Sequence, residues 1–198
     1  MFVTFEGVDG SGKSTQAALA VASLAKGGRE VVATREPGGT PLGERVRQLL
    51  LDGPEMTPWA EASLFAAARA ELAERVIRPA LARCAIVVSD RYLDSSLAYQ
   101  GVARGLGIER VLELNAAVAD LLPDWTFVLL VDEATASARL GRKPDRIERE
   151  GADFRAAVDA GFRAVADRFR GRVVVLDGAR PRDELAAQVR EELAARVR

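Results

Sequence analysis

The densest chemistry lies near the amino terminus, in Gly7-Val8-Asp9-Gly10-Ser11-Gly12-Lys13-Ser14-Thr15. The run fits G-x-x-x-x-G-K-[ST] without a gap, directly after an apolar strand pattern and directly before a helical one. Glycines let the backbone curl until successive N–H groups point inward at phosphate oxygens, and the following helix adds its positive end. In such a phosphate-binding loop Lys13 bridges the β- and γ-phosphates of a nucleotide and Ser14 ligates Mg²⁺. The pattern specifies nucleotide and magnesium binding, but switches, motors and kinases share it.

Further segments have to choose the reaction. Val88-Ser89-Asp90-Arg91-Tyr92 closes a third strand pattern and puts an acid and an arginine where open α/β sheets bind ligands. A guanidinium at Arg91 can grip phosphoryl oxygens in a bidentate fork, while Asp90 orders magnesium-bound water or the arginine itself. Ser96, Tyr99 and Gln100 follow at helical spacing and share one face. Phe65 and Arg69 stand four apart in a helical pattern, so both can face one cleft. Thr34-Arg35-Glu36-Pro37-Gly38-Gly39-Thr40 reads by itself only as a turn. Asp132, after the apolar run Phe127 to Val131, reads as a strand-end or helix-capping residue and not as a metal carboxylate, a role for which Asp90 is better placed.

The elements that must hold these residues are legible as an alternation. Strand patterns cover Phe2 to Glu6, Glu30 to Thr34, Ala85 to Ser89, Trp125 to Val131 and Arg172 to Leu176. Helical patterns such as Pro58 to Ala82 and Pro181 to Val197 lie between or after them. Alternation predicts an α/β fold, a doubly wound five-stranded parallel sheet with helices on both faces. With 198 residues and no Ser- or Pro-rich linker, one domain over 1–198 is expected. The irregular basic stretch 139–151 is a candidate mobile lid.

Bulk properties remove other chemistries. The chain has 28 basic and 29 acidic residues, a net charge of −1, so no global field draws it to nucleic acid or an anionic membrane. It has no histidine, which removes Ser-His-Asp and Cys-His triads and histidine metal sites. The single cysteine, Cys84, allows no intrachain disulfide and is expected as a small buried hydrophobe at a strand start. No apolar run approaches spanning length and no leader pattern precedes Phe2, so the cytoplasm is expected.

The run from Val88 to Gln100 resembles the signature of the thymidylate kinase family, with its Asp-Arg pair, its serine and its Ala-Tyr-Gln close. Arg35-Glu36-Pro37-Gly38-Gly39 resembles a second family loop, and Asp145-Arg146-Ile147-Glu148 resembles the bacterial-type lid with catalytic arginines. This resemblance implies a P-loop NTPase-like kinase that transfers the γ-phosphoryl group of ATP to dTMP, with Mg²⁺ as cofactor and a homodimeric assembly. It implies Phe65 stacking on thymine, Arg69 contacting the base or 5′-phosphate, Ser96 and Gln100 reading the thymine edge, and Tyr99 favouring deoxyribose. Glu36 and Pro37 would wall the dTMP pocket, Arg47 would approach the monophosphate, and Asp9 would meet the sugar 3′-hydroxyl. Some family members carry a further basic residue in the P-loop where this chain has Gly10 and Ser11. Catalytic positive charge is therefore expected from the lid, from Arg142 and Arg146 above Arg139 and Lys143, beside Lys13, Asp90 and Arg91. Two alternatives stay open: another nucleoside monophosphate kinase of this fold, or a P-loop nucleotide-binding switch without turnover. The chain lacks the Asn-Lys-x-Asp guanine reader that a GTPase switch would carry.

Overall fold

The computed structural model describes residues 1–140 and 145–196. Five parallel strands, β1 (Phe2–Glu6), β2 (Val31–Arg35), β3 (Ile86–Asp90), β4 (Trp125–Leu130) and β5 (Val173–Asp177), form one sheet in the order β2-β3-β1-β4-β5. β1 is buried at every position, as a central parallel strand covered on both faces must be. Register pairs Phe5 with Asp90 and with Phe127, so the strand ends that carry polar residues finish together at one edge.

Alternation along β1 sorts two layers. Val3 and Phe5 pack with Phe127 and Leu129 against α1 (Lys13–Lys26) and α9 (Arg182–Arg196). Phe2 faces the opposite layer, with Leu72 of α3 (Pro58–Leu72), Ile77 in the π-helical turn 73–77, Ala80 of α4 (Arg78–Ala82) and Leu97. The helical pattern read from Pro58 to Ala82 is thus one continuous rod with a π-helical interruption. α2 (Pro41–Asp52) packs on α3 through Val46, Leu50 and Ala68, and Thr40 caps its start by accepting from the Gly43 N–H at 2.9 Å.

After β3 the chain makes a four-residue helix, α5 (Leu93–Ser96), and a wide π-helical segment, 97–103, before α6 (Ile108–Leu114). α8 (Ala152–Arg168) lies directly on that segment. A Cβ at Gly161 would fall 2.7 Å from the Ala98 carbonyl oxygen, so the missing side chain permits the approach. α7 (Glu133–Arg139) follows β4, and Asp132 caps it, its Oδ1 accepting from the Thr135 N–H at 2.8 Å.

Two expectations need correction. Cys84 is exposed, in a left-handed turn at φ 64°, because the chain has already left α4 and has not yet entered β3. Strands β2, β3 and β5 each begin and end one residue later than the sequence pattern suggested. Ladder hydrogen bonds carry the pairing on to Arg35, Asp90 and Asp177, whose charged side chains read as loop.

Candidate active site

All five strands point their carboxyl ends at one cleft of about 930 Å³. Val8 and Asp9 line its middle, after β1. Pro37, Phe65, Ser96, Tyr99 and Gln100 line it on the β2–β3 side, and Ser137, Asp177 and Ala179 on the β4–β5 side.

The loop between β1 and α1 is built by its glycines. Gly10 has φ 83°, and a Cβ there would meet the Ala136 carbonyl oxygen at 2.2 Å, so α7 closes on the loop only because residue 10 has no side chain. Ser14 and Thr15 open α1 and are exposed, and the first turn carries no acid to oppose an anion. Lys13 is buried and donates to Asp9 Oδ1 at 2.7 Å; Arg91 donates to the same oxygen at 3.0 Å. Burial pushes the Asp9 carboxyl upward, but Arg91 and then Lys13 outweigh it and hold the group well below the usual carboxylate range.

Arg91 sits at φ 71°, a conformation that costs an L-residue energy and persists only where its surroundings insist on it. Three hydrogen bonds insist here. Arg91 N–H donates to Phe5 O at 2.9 Å, Ser89 Oγ to Arg91 O at 2.7 Å, and Tyr92 N–H to Glu6 Oε1 at 2.8 Å. The guanidinium also donates to Ser95 Oγ at 3.0 Å, and Ser95 is bonded in turn to Glu6 Oε2 at 2.5 Å. It lies 5.3 Å over the Tyr99 ring. Burial pushes the Tyr99 phenol up to about 12, which keeps it a neutral hydroxyl.

A sequence profile of the family described as Thymidylate kinase matches residues 5–189. The chain belongs to the thymidylate kinase family. A thymidylate kinase of Leifsonia xyli subsp. xyli is 49% identical, covering 100% of this chain and 96% of its own. One of Deinococcus radiodurans is 45% identical over 96% of this chain and 94% of its own. Among solved structures, thymidylate kinase from Ehrlichia chaffeensis superposes with a TM-score of 0.82 at 35% identity, over 98% of both chains. The chain is therefore a nucleoside monophosphate kinase on a P-loop NTPase-like fold.

Within this thymidylate kinase frame the residues singled out from sequence divide into two groups. Asp9, Arg91, Ser96, Tyr99 and Gln100 line the cleft with Phe65 and Pro37, and Lys13, bonded to Asp9, stands behind them with Asp90 as a charged neighbour. Glu36 and Arg69 stand behind its wall. Arg69 is 1% exposed, and its Nε and Nη2 donate to Glu36 Oε2 at 3.0 and 2.6 Å. It also donates to Asn115 Oδ1 at 2.7 Å and to Ser96 Oγ at 2.9 Å. The expectation that Phe65 and Arg69 both face the cleft is met by Phe65 alone, because a buried guanidinium turns to the carboxylate that can satisfy it. Arg47 donates to the Pro37 carbonyl at 2.9 Å, supporting that loop from α2.

Arg146 lies on the α2–α3 side of the cleft. It is buried, its N–H donates to Leu51 O at 3.0 Å, its Nε to Leu50 O at 2.8 Å and its Nη2 to Glu61 Oε2 at 2.7 Å. In this structure its guanidinium is engaged by Glu61 and not by the P-loop. Arg142 and Lys143 lie outside the described residues. Arg139 reaches the P-loop side, donating to Gly178 O at 2.8 Å with Gly10 O at 3.5 Å.

Sequence reasoning missed Glu6, Glu61 and Arg104. Glu61, Phe65 and Arg69 recur at four-residue intervals, a shared helix face that would have pointed to Glu61. Glu6 carries the signal of an acid ending a strand that is otherwise buried throughout.

Proposed function

We propose that the chain transfers the γ-phosphoryl group of ATP directly to dTMP, giving ADP and dTDP, with both nucleotides held in the one cleft. The observation that carries this reading is the cleft itself: a P-loop in the middle, a stacking ring and hydrogen-bonding side chains on one side, and the β4–β5 loops on the other. As the dTMP phosphate oxygen bonds to the γ-phosphorus, the bond to the ADP oxygen breaks, so no phosphoenzyme is needed. The absence of histidine in the chain agrees with that.

Lys13 and the P-loop backbone N–H groups of residues 7–15 hold the ATP phosphates. Arg91 places a charge between donor and acceptor, where the transition state spreads charge over the equatorial oxygens. Asp9 is positioned to meet the dTMP sugar. Phe65 stacks on thymine, Ser96 and Gln100 read its edge, and Tyr99 crowds the sugar. Pro37, backed by Glu36, Arg47 and Arg69, completes the wall.

Magnesium fits the residues present. Asp90 Oδ1 is buried with no hydrogen-bond partner among the described residues, and Ser14 exposes its hydroxyl at the start of α1. Among the described residues no cluster of three or more acids forms a protein cage. That matches an ion held largely by phosphates and water, with Ser14 and Asp90 as its protein partners. When bound, it supplies neutralising charge to the phosphate oxygens.

Arg142 and Arg146 in a lid spanning about 139–151 remain our candidates for the positive charge that follows lid closure, which also excludes water. A cytoplasmic homodimer of single-domain protomers is the assembly we favour; no described helix is long and apolar enough to cross a membrane. The test is turnover with ATP and a panel of dTMP, dUMP, dCMP, AMP and GMP under coupled ADP detection. Preferred use of dTMP supports the reading, and an equal rate with AMP or GMP, or tight GTP binding without turnover, overturns it.

A further inference from the structure

Glu61 is a buried acid on α3, one turn before Phe65, and three described side chains donate to it. Oε1 accepts from Gln100 Nε2 at 2.9 Å and Arg104 Nε at 3.2 Å. Oε2 accepts from Arg104 Nη2 at 3.1 Å and Arg146 Nη2 at 2.7 Å. Burial pushes this carboxyl upward, but the bonds from Gln100, Arg104 and Arg146 outweigh it and hold the group below its ordinary value. Glu61 is ionised, and an ionised carboxylate can only accept.

That decides the orientation of Gln100. The amide nitrogen must be the atom facing Glu61, since the opposite rotamer would set the amide oxygen against a carboxylate oxygen. Gln100 lines the cleft, and its Oε1 takes no hydrogen bond from any described residue. The group offered to a ligand is therefore a carbonyl.

We infer that Glu61 is a specificity-positioning residue: by fixing the Gln100 amide it presents a lone acceptor to the acceptor base and so selects a pyrimidine with a ring N3–H. Thymine and uracil carry that proton. Cytosine has a lone pair at N3, which would face the Gln100 oxygen across the cleft and leave both acceptors unsatisfied. A site built around one donor–acceptor pair discriminates more sharply than ring size can. The inference rests on the proposed reading in which Gln100 meets the base edge.

The experiment compares kcat/KM for dTMP and dCMP in wild type, Glu61→Gln and Gln100→Ala, with KM for ATP measured alongside. In Glu61→Gln the new carboxamide can donate or accept, so Gln100 is free to turn and offer its NH₂ to cytosine N3. The dTMP-to-dCMP preference is expected to fall at least tenfold, mainly through KM for dTMP, with KM for ATP unchanged. Any release of Arg146 alters both substrates alike and cancels in the ratio. A thermal melt establishes that the variant is folded. A folded Glu61→Gln with an unchanged ratio overturns the inference while leaving the dTMP reading intact. A Gln100→Ala with unchanged KM for dTMP overturns the Gln100 reading itself, and the inference with it. If Glu61→Gln does not fold, the wild type decides by NMR. A downfield, slowly exchanging Gln100 side-chain amide supports the pairing, and an unshifted, rapidly exchanging one overturns it.

Discussion

Glu6 ends the central strand with its side chain wholly buried, and its protonation should be visible in the stability of the protein. Burial first, and the neighbouring Asp94 second, raise its pKa from 4.5 to about 8, against the pull of Arg91 and the bonds from Ser95 and the Tyr92 N–H. Tyr99 also faces it, as a neutral phenol. The unfolded chain releases this proton near pH 4.5, whereas the folded chain keeps it until about pH 8. The stability contributed by the protonated group is complete below the lower value and is lost as the pH climbs through the upper one. The gradient is about 1.4 kcal/mol per pH unit for one proton, so the whole window amounts to at most about 5 kcal/mol. Urea denaturation of wild type and Glu6→Gln at half-unit steps from pH 5 to 9 isolates the effect, because the variant has nothing to titrate there. The wild-type stability minus that of the variant should fall steadily up to about pH 8 and level off above it. A difference that is flat, or that rises with pH, would show that Glu6 is ionised in the folded protein and would refute the reasoning.

Other perturbations test the wall and the loop. Arg69→Met leaves Glu36 buried without its partner, which should cost about 3–5 kcal/mol; a melting temperature lowered by about 10 °C is expected, and one within a degree of wild type would count against a buried strut. Gly10→Ala drives a methyl group into the Ala136 carbonyl, 2.2 Å from the ideal Cβ, and should raise KM for ATP while the chain stays folded. Unchanged ATP saturation would mean the loop has another way to close. Arg91→Ala should lower kcat by at least about a hundredfold with ATP binding largely kept; equal turnover would remove its catalytic role. Phe65→Ala should raise KM for dTMP by about tenfold, the scale of one lost base–aromatic stack, and an unaltered KM would withdraw the stacking assignment.

The sequence displayed most of what lies on single elements and little of what lies between them. The P-loop is contiguous, so its glycines, Lys13 and Ser14 could be read directly. Strand existence followed from the β-branched runs, but the order β2-β3-β1-β4-β5 depends on which crossovers pack where, and no local pattern encodes that. The same limit explains Arg69. Helical spacing places it on the face of Phe65, but Glu36 lies 33 residues earlier in the chain, and only the fold brings that carboxylate to 2.6 Å from the guanidinium. Arg146 was readable as a basic residue in an irregular stretch, whereas its burial against Glu61, 85 residues away, was not. Cys84 misled because buried cysteine is the commoner case, and the left-handed turn that exposes it is a backbone property.

The buried and half-buried acids in and behind the cleft share a logic that the net charge of −1 conceals. Glu36 holds Arg69, Glu61 holds Arg104 and Arg146, Asp94 holds Arg172 at 2.6 Å, and Asp9 holds Lys13 and Arg91. Such pairs add little net stability, since desolvation consumes most of their attraction, but separating one costs several kcal/mol. They act as geometric constraints between segments far apart in sequence. Asp94 and Arg172 lock the start of the 93–103 segment to the foot of β5, and Glu61 locks its far end to α3. Ser96, at the end of α5, and Tyr99 and Gln100, on the π-helical turn 97–103, belong to the stretch held by those fixings. A segment pinned by Asp94–Arg172 near its start and by Glu61–Arg104 just past its end, pairs that are costly to separate, keeps the directions of its side chains fixed, and such preorganisation lowers the ordering cost of binding any ligand there.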